Sequence, residues 1–253
     1  MRLTIVGCSG SFPGPESPAS CYLVEAEDFS LVLDLGNGAL GPLQRHVDLR
    51  AVGAVALSHL HADHCLDLCS YYVARRYDPA GIPPLLPVYG PTGTADRLAR
   101  AYDLPTEPGM HGEFDFRTWT PGEPTAIGPF TVTAERVEHP VEAYAMRIEH
   151  GGRVLTYSGD TSGGDALLRL AADADLFLCE AAFHEGRDST PGVHLTGRGA
   201  GAHATQAAAK RLVVTHVPPW NDVDRTLAEA RSAYSGPIEV ARCGVSYDVG
   251  SPQ

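Results

Sequence analysis

The hexapeptide His59-Leu60-His61-Ala62-Asp63-His64 constrains this chain more than any other stretch. It places three imidazoles and a carboxylate directly after the apolar run 52–57. In an extended segment alternate side chains share a face, so His59 and His61 can reach one cation together. A turn into a helix at Asp63 would point Asp63 and His64 elsewhere, toward a second cation. The spacing differs from the HExxH signature, in which two histidines lie one helical turn apart. A fold that satisfies this segment must end a buried strand where further ligands converge.

Further ligands stand at other strand ends. His139 closes the run 130–138, Asp160 follows the strand 153–157 in Ser158-Gly159-Asp160-Thr161, and His216 closes the strand 212–215. A carboxylate such as Asp160 suits a bridging position, because its two oxygens can serve two cations. Taken singly, a histidine at a strand end is ordinarily a hydrogen-bonded structural residue, and an Asp in a Gly-containing turn is ordinarily a turn former. Joined to the hexapeptide they read as one ligand set. Cys65 could add a soft ligand, although the hard ligands already suffice.

With 253 residues, 43% of them hydrophobic, the chain can bury one substantial core, read as a single domain over 1–253. A net charge of -12 disfavours long polyanions such as tRNA or duplex DNA. The N-terminus lacks the layout of a signal peptide, and no apolar run approaches membrane-spanning length, so the expected address is the cytoplasm and no membrane partner is expected. Six cysteines without a CxxC pair fit buried thiols in a reducing compartment.

Strand-like runs fall at 3–6, 22–26, 31–33, 52–57, 85–89, 130–134, 144–149, 153–157, 176–179, 212–215 and 238–240, with Gly151-Gly152 as a hairpin turn. Helix-like stretches fall at 65–76, 93–102, 165–172, 200–210 and 223–234. This order predicts an α/β chain with mixed sheets and helices packed outside them. The Pro/Gly-rich stretches 9–20 and 105–128 read as surface loops, or as a lid or pocket wall. The glycines at 197, 199 and 201 do not make a phosphate loop, since no strand directly precedes them and no GK[ST] follows.

The ordered set of His59-His61-Asp63-His64, His139, Ser158-Gly159-Asp160-Thr161 and Thr215-His216 resembles the metallo-β-lactamase superfamily. Gly7-Cys8-Ser9-Gly10-Ser11, Leu33-Asp34-Leu35-Gly36 and His194-Leu195-Thr196 extend the resemblance to its ribonuclease Z-like and cyclic-nucleotide phosphodiesterase branch. The resemblance implies a four-layer αβ/βα sandwich of two mixed β-sheets with the site at one edge. It implies one metal on His59, His61 and His139, another on Asp63, His64 and His216, and Asp160 between them. Asp34 would orient a ligand from behind. Asp63 and His194 are the catalytic candidates. His194 matches a histidine that contacts the scissile phosphate or protonates the leaving group; a helix-start residue without chemistry is the alternative.

Two cations about 3.5–4 Å apart lower the pKa of a shared water from about 15.7 toward roughly 7, giving a bridging hydroxide nucleophile. His/Asp ligation suits Zn²⁺, with Mn²⁺ or Fe²⁺ as alternatives. Di-iron oxidoreductase relatives carry Glu where this chain has His61, which favours hydrolysis over redox chemistry. A phosphodiesterase acting on a small substrate such as a cyclic nucleotide leads. Acyl hydrolysis of the lactonase, thioesterase or lactamase type comes next, and tRNA 3′-end processing third. Ribonuclease Z carries a tRNA-gripping arm between the motifs matching His139 and Asp160; here residues 140–159 leave room only for a hairpin. A metal-binding protein without catalysis is the reading from another class. Relatives suggest a homodimer. Glu180 fits a structural hydrogen-bonding role, His184 a pocket wall, and His203 an exposed helix position. Arg187, Arg198 and Trp220 are candidates for holding base or sugar.

Overall fold

Side-chain alternation along the strands sorts the chain into layers. A computed structural model describes residues 1–250. The first sheet contains β1 (Arg2–Gly7), β2 (Cys21–Ala26), β3 (Phe29–Leu33), β4 (Val52–Ala56), β5 (Leu86–Gly90) and β6 (Phe114–Thr118). The second contains β7 (Pro124–Ile127), β8 (Phe130–Arg136), β9 (Tyr144–His150), β10 (Arg153–Tyr157), β11 (Leu176–Glu180), β12 (Leu212–Thr215) and β13 (Ile238–Val240). The last strand, β14 (Ser246–Asp248), returns to the first sheet beside β1. Both sheets are mixed: β3 to β6 and β10 to β13 run parallel, and the remaining pairs are antiparallel.

Tyr22 and Val24 of β2 face the inter-sheet core, where they meet Tyr157, Leu178 and Val213 of the second sheet. Their neighbours Cys21 and Leu23 face outward, onto a layer completed by α1 (Leu40–Leu43), α2 (Ala62–Cys65), α3 (Leu68–Arg76) and α4 (Thr94–Ala101). On the second sheet Phe177, Cys179, Leu212 and Val214 face α5 (Asp165–Ala171), α6 (Gly197–Gln206) and α7 (Val223–Arg231). The result is the four-layer αβ/βα sandwich expected from the sequence. Each apolar face is covered once, and each layer is built on the two-residue period of its strands.

Three departures have physical causes. The stretch 105–128, expected as a loop or lid, holds one edge strand of each sheet, β6 and β7. Pro124 opens β7, where it is tolerated because this strand has a sheet neighbour on one side only, and the other prolines of the stretch lie outside both strands. Within it, Phe114 and Met110 are fully buried, and the Trp119 indole N–H donates to Leu57 O at 3.0 Å. The helix expected over 65–76 is split, α2 ending before α3 begins at Leu68. Finally, α6 starts earlier than expected, because the Thr196 hydroxyl caps it by accepting from Gly199 N at 3.1 Å. Among the described residues no helix is long and apolar enough to cross a membrane.

Candidate metal centre

The predicted ligands converge because they follow the C-terminal ends of strands that point the same way. Asp34 follows β3, His59 follows β4, His139 follows β8, Asp160 follows β10 and His216 follows β12. Loops beyond strand carboxyl ends are where α/β folds place ligands. α2 brings Asp63 and His64 over this edge. It is seated by Leu35 N donating to His64 O at 2.8 Å, and Gly36 must lack a side chain because a Cβ there would lie 1.9 Å from Asp63 O.

Two clusters result. In one, His61 Nδ1 lies 3.0 Å from His59 Nε2 and 3.3 Å from His139 Nε2. In the other, His216 Nε2 lies 3.2 Å from His64 Nε2 and 3.1 Å from Asp63 Oδ2. Asp160 stands between them, its Oδ1 3.2 Å from His64 Nε2 and its Oδ2 3.7 Å from His59 Nε2. Each cluster gathers enough donor atoms within reach of one another to hold a metal ion. All seven predicted ligand residues are thus brought together, and Asp160 takes the intermediate position.

The surroundings fix which nitrogens face inward. His64 Nδ1 lies 2.7 Å from Asp34 Oδ2, His139 Nδ1 lies 2.9 Å from Val193 O, and His59 Nδ1 lies 3.1 Å from Ser58 Oγ. Donating Nδ1–H outward leaves the Nε2 lone pair inward, as a metal requires. Asp34 is placed behind His64, as expected, and is itself held by Ser58 and Tyr157.

The electrostatics also fit a cation. Burial alone would push the Asp160 carboxyl up, but the imidazoles of His216, His64 and His59 hold it well below the ordinary range. Burial would likewise lower His64, yet Asp160 and Asp34 pull it up. The same carboxylates favour a metal on Nε2 as they favour a proton. At His59 burial and the His64 charge outweigh the pull of Asp160 and drive it down. Asp160 Oδ1 is buried without a well-formed hydrogen bond, a group that a cation would satisfy.

His194 completes the edge. Its ring packs 5.5 Å, centroid to centroid, from those of both His139 and His216, and its Nδ1 lies 2.8 Å from Glu180 Oε1. Burial opposes protonation, but the Glu180 charge and hydrogen bond outweigh it and raise His194 to about 9. Glu180 also accepts from Thr161 N at 2.8 Å and from Ala182 N at 3.0 Å, so this fully buried carboxylate is a hydrogen-bond hub. Its expected structural role holds. Its link to His194 spans two loops and has no sequence signal, and neither do the roles of Ser58, Tyr157 and Val193.

Other candidates join no ligand cluster. Cys65 is buried in the layer beneath α3 and joins no ligand cluster. His184 is buried, with Nε2 2.9 Å from Thr226 Oγ1. His203 is half-buried rather than exposed, and its Nε2 accepts from Gly164 N at 3.1 Å. Arg187 is tied to Asp188, while Arg198 and Trp220 are exposed.

Comparison with known proteins places this geometry. Residues 30–217 match the family model described as Beta-lactamase superfamily domain. An uncharacterised Mycobacterium leprae protein is 44% identical, the match covering 100% of this chain and 90% of that one. The probable metallo-hydrolase YhfI of Bacillus subtilis is 31% identical over 98% of this chain and 100% of its own. The crystal structure of YhfI superimposes with a TM-score of 0.87, covering 98% of this chain and 99% of that chain. A ribonuclease Z of Myxococcus xanthus is 27% identical over 98% of each chain. With the family model matching most of its length and a relative this similar end to end, the chain belongs to the beta-lactamase superfamily.

Proposed function

We propose that the protein is a metal-dependent phosphodiesterase acting on a small substrate such as a cyclic nucleotide. His59, His61 and His139 would hold one divalent cation, and Asp63, His64 and His216 a second, with Asp160 between them. Zinc suits the donor set first, manganese or iron next. The name of the Bacillus relative, a probable metallo-hydrolase, points the same way at the coarser level.

The observation that carries the reading is the His194–Glu180 pair beside the metal cluster. With Nδ1–H donated to a buried carboxylate, His194 keeps Nε2 for the substrate. As an imidazolium it attracts an anionic phosphodiester and can hand its Nε2 proton to the departing oxygen. Acyl substrates are neutral at the reacting carbon and gain less from such a cation. Bound divalent metal would supply a water-derived nucleophile at neutral pH and offset charge on the phosphoryl oxygens. Asp63 is held charged: burial would raise it, but its hydrogen bonds to His216 and His64 press it far below the ordinary range. A carboxylate held this acidic suits a cation ligand better than a base for the attacking water. Between His139 and Asp160 the chain forms only the β9–β10 hairpin, turned at Gly151-Gly152, which supports a small substrate over tRNA.

The test is a substrate panel on protein loaded with Zn²⁺ or Mn²⁺. Turnover of 3′,5′- or 2′,3′-cyclic nucleotides, abolished by chelation, is expected. Metal-loaded protein inert on every phosphodiester yet active on a lactone or thioester overturns the reading in favour of acyl chemistry. Loaded protein inert on both classes leaves a metal-binding protein without catalysis.

A further inference from the structure

Two exposed aromatic rings stand on the loops that flank His216. Phe12 is 36% and Trp220 63% exposed, with ring centroids 4.7 Å apart and an interplanar angle of 42°. Neither belongs to the apolar layers of the sandwich.

Both rings sit on braced backbone. Phe12 N donates to Gly10 O at 2.7 Å around Ser11, whose φ of 63° makes a tight three-residue turn that L-residues rarely adopt. The turn is pressed onto the end of β12: Gly10 N donates to Val217 O at 3.2 Å, and a Cβ on Gly10 would lie 2.3 Å from His216 O. Ser11 N–H points at His216 Nε2, 3.3 Å away, the nitrogen that also faces His64 and Asp63. Phe12 is therefore one residue, about 3.8 Å of chain, beyond a backbone donor that faces the metal centre. On the other side, Val217-Pro218-Pro219 carries the chain from His216 to Trp220. Asn221 locks this turn by donating its backbone N–H to Pro218 O at 2.8 Å and its Nδ2–H to Ala182 O at 2.9 Å.

We propose that Phe12 and Trp220 form a stacking shelf for the nucleobase of a nucleotide whose phosphate lies at the metal centre. The inference rests on the phosphodiesterase reading above and names the part of the substrate that the metal site cannot recognise. Flat, uncharged faces carried on loops that border a phosphate site suit a planar ring joined to a phosphate. Stacking on aromatic side chains tolerates any base, since every base has a π-face, and it is worth about tenfold in affinity or more. The shelf thus predicts discrimination between nucleotides and base-free phosphate esters, with weak discrimination among bases.

The experiment compares 5′-AMP with ribose 5-phosphate on zinc-loaded protein. The chain has two tryptophans, and Trp119 is buried at 5% exposure, so a nucleotide-dependent fluorescence change reports on Trp220. Quenching by 5′-AMP and at least tenfold tighter binding than ribose 5-phosphate are expected. By calorimetry, Trp220→Ala and Phe12→Ala should each weaken 5′-AMP about tenfold without changing ribose 5-phosphate, and Trp220→Phe should recover most of the loss. The shelf is refuted if the two ligands bind wild-type protein equally, if 5′-AMP does not bind, or if Trp220→Ala leaves its affinity unchanged. A dimer that dissociates on either alanine substitution assigns the rings to a second copy and also overturns the proposal. Base-dependent binding that follows the shelf variants, without turnover of any phosphodiester, sinks the phosphodiesterase reading alone.

Discussion

Replacing Asp34 by Asn tests how the fold prepares His64 to bind metal. Asp34 is fully buried and accepts from Ser58 N at 2.6 Å, Ser58 Oγ at 2.7 Å, Tyr157 Oη at 2.6 Å and His64 Nδ1 at 2.7 Å. Asparagine keeps the shape but replaces one acceptor oxygen with an NH₂ donor. If the amide keeps its oxygen toward Ser58 N, its NH₂ meets the three groups that formerly donated to Oδ2. The Ser58 and Tyr157 hydroxyls can rotate and accept. His64 can accept at Nδ1 only by moving its proton to Nε2, and a protonated Nε2 cannot ligate a cation. Loss of such an orienting partner lowers metal affinity about 10- to 100-fold, equivalent to roughly 1.4–2.8 kcal/mol. If the amide flips instead, its NH₂ faces Ser58 N–H, and two buried donors oppose each other at a stability loss of about 1–3 kcal/mol. Competition with a chelating dye reads the affinities, metal per chain reads stoichiometry, and urea unfolding of metal-free protein reads the fold. One weakened cation beside one retained at wild-type affinity is expected. Two cations held within about twofold of wild type, on an equally stable fold, would refute the tautomer argument.

Further predictions touch separate parts of the molecule. Glu180→Gln should lower phosphodiester turnover about 100-fold or more while metal content holds, within the range of acid catalysis. Because the protonated His194 is the donor and Glu180 raises it to about 9, activity should fall as pH rises through that value, and the variant should show the fall at lower pH; an unmoved pH–rate profile refutes the role. Gly36→Ala alters no ligand, yet its Cβ would meet Asp63 O at 1.9 Å, so it should displace α2, cost about 1–3 kcal/mol in urea unfolding and reduce metal content. Removing metal with a chelator should lower the thermal midpoint, by an amount that grows with the logarithm of free metal in back-titration. Asp175 lies far from the site: burial would raise its carboxyl, but hydrogen bonds from Lys210 Nζ at 2.9 Å and Val154 N at 2.8 Å hold it below the ordinary value. It therefore stabilises the fold above the unfolded-state value near 3.9, and that contribution fades as pH falls through the lower folded value. Asp175→Asn should destabilise at pH 7, with the gap to wild type closing below about pH 4.

The ligand set was legible because metal chemistry restricts residue type and the strand pattern restricts place. His59, His139, Asp160 and His216 each follow an apolar strand visible as a run of Val, Leu, Ile or aromatic residues, so the sandwich edge could be drawn before the structure. Of the edge strands, β13 was legible but β6 and β7 were not. β6 and β7 mix charge, Pro and Thr with apolar residues, because each is covered on one side only and alternation fades. The partners behind the ligands were equally hidden. Ser58, Tyr157 and the Val193 carbonyl act through contacts set by packing of two sheets, and none belongs to a residue type that chemistry singles out; Glu180 was visible as a hydrogen-bonding carboxylate, but not its pairing with His194.

Backbone strain at the site follows from the same geometry. Among the described residues seven non-glycines have positive φ, and three of them, Ser11 at 63°, Asp34 at 54° and His216 at 56°, bound the metal cluster. Each left-handed residue costs about 1–2 kcal/mol in an L-chain. Asp34 and His216 directly follow β3 and β12, where continued extension would carry successive side chains to alternating faces of the sheet. A single left-handed step turns the polar side chain toward the site without lengthening the loop. The four hydrogen bonds to Asp34 hold one such step, and Gly10 packed on the His216 carbonyl holds another. Ser11→Gly separates strain from function here: it should stabilise the fold by about 1 kcal/mol or less while loosening Phe12 and lowering 5′-AMP affinity. Greater stability with unchanged nucleotide affinity would show that the turn carries strain without positioning the ring.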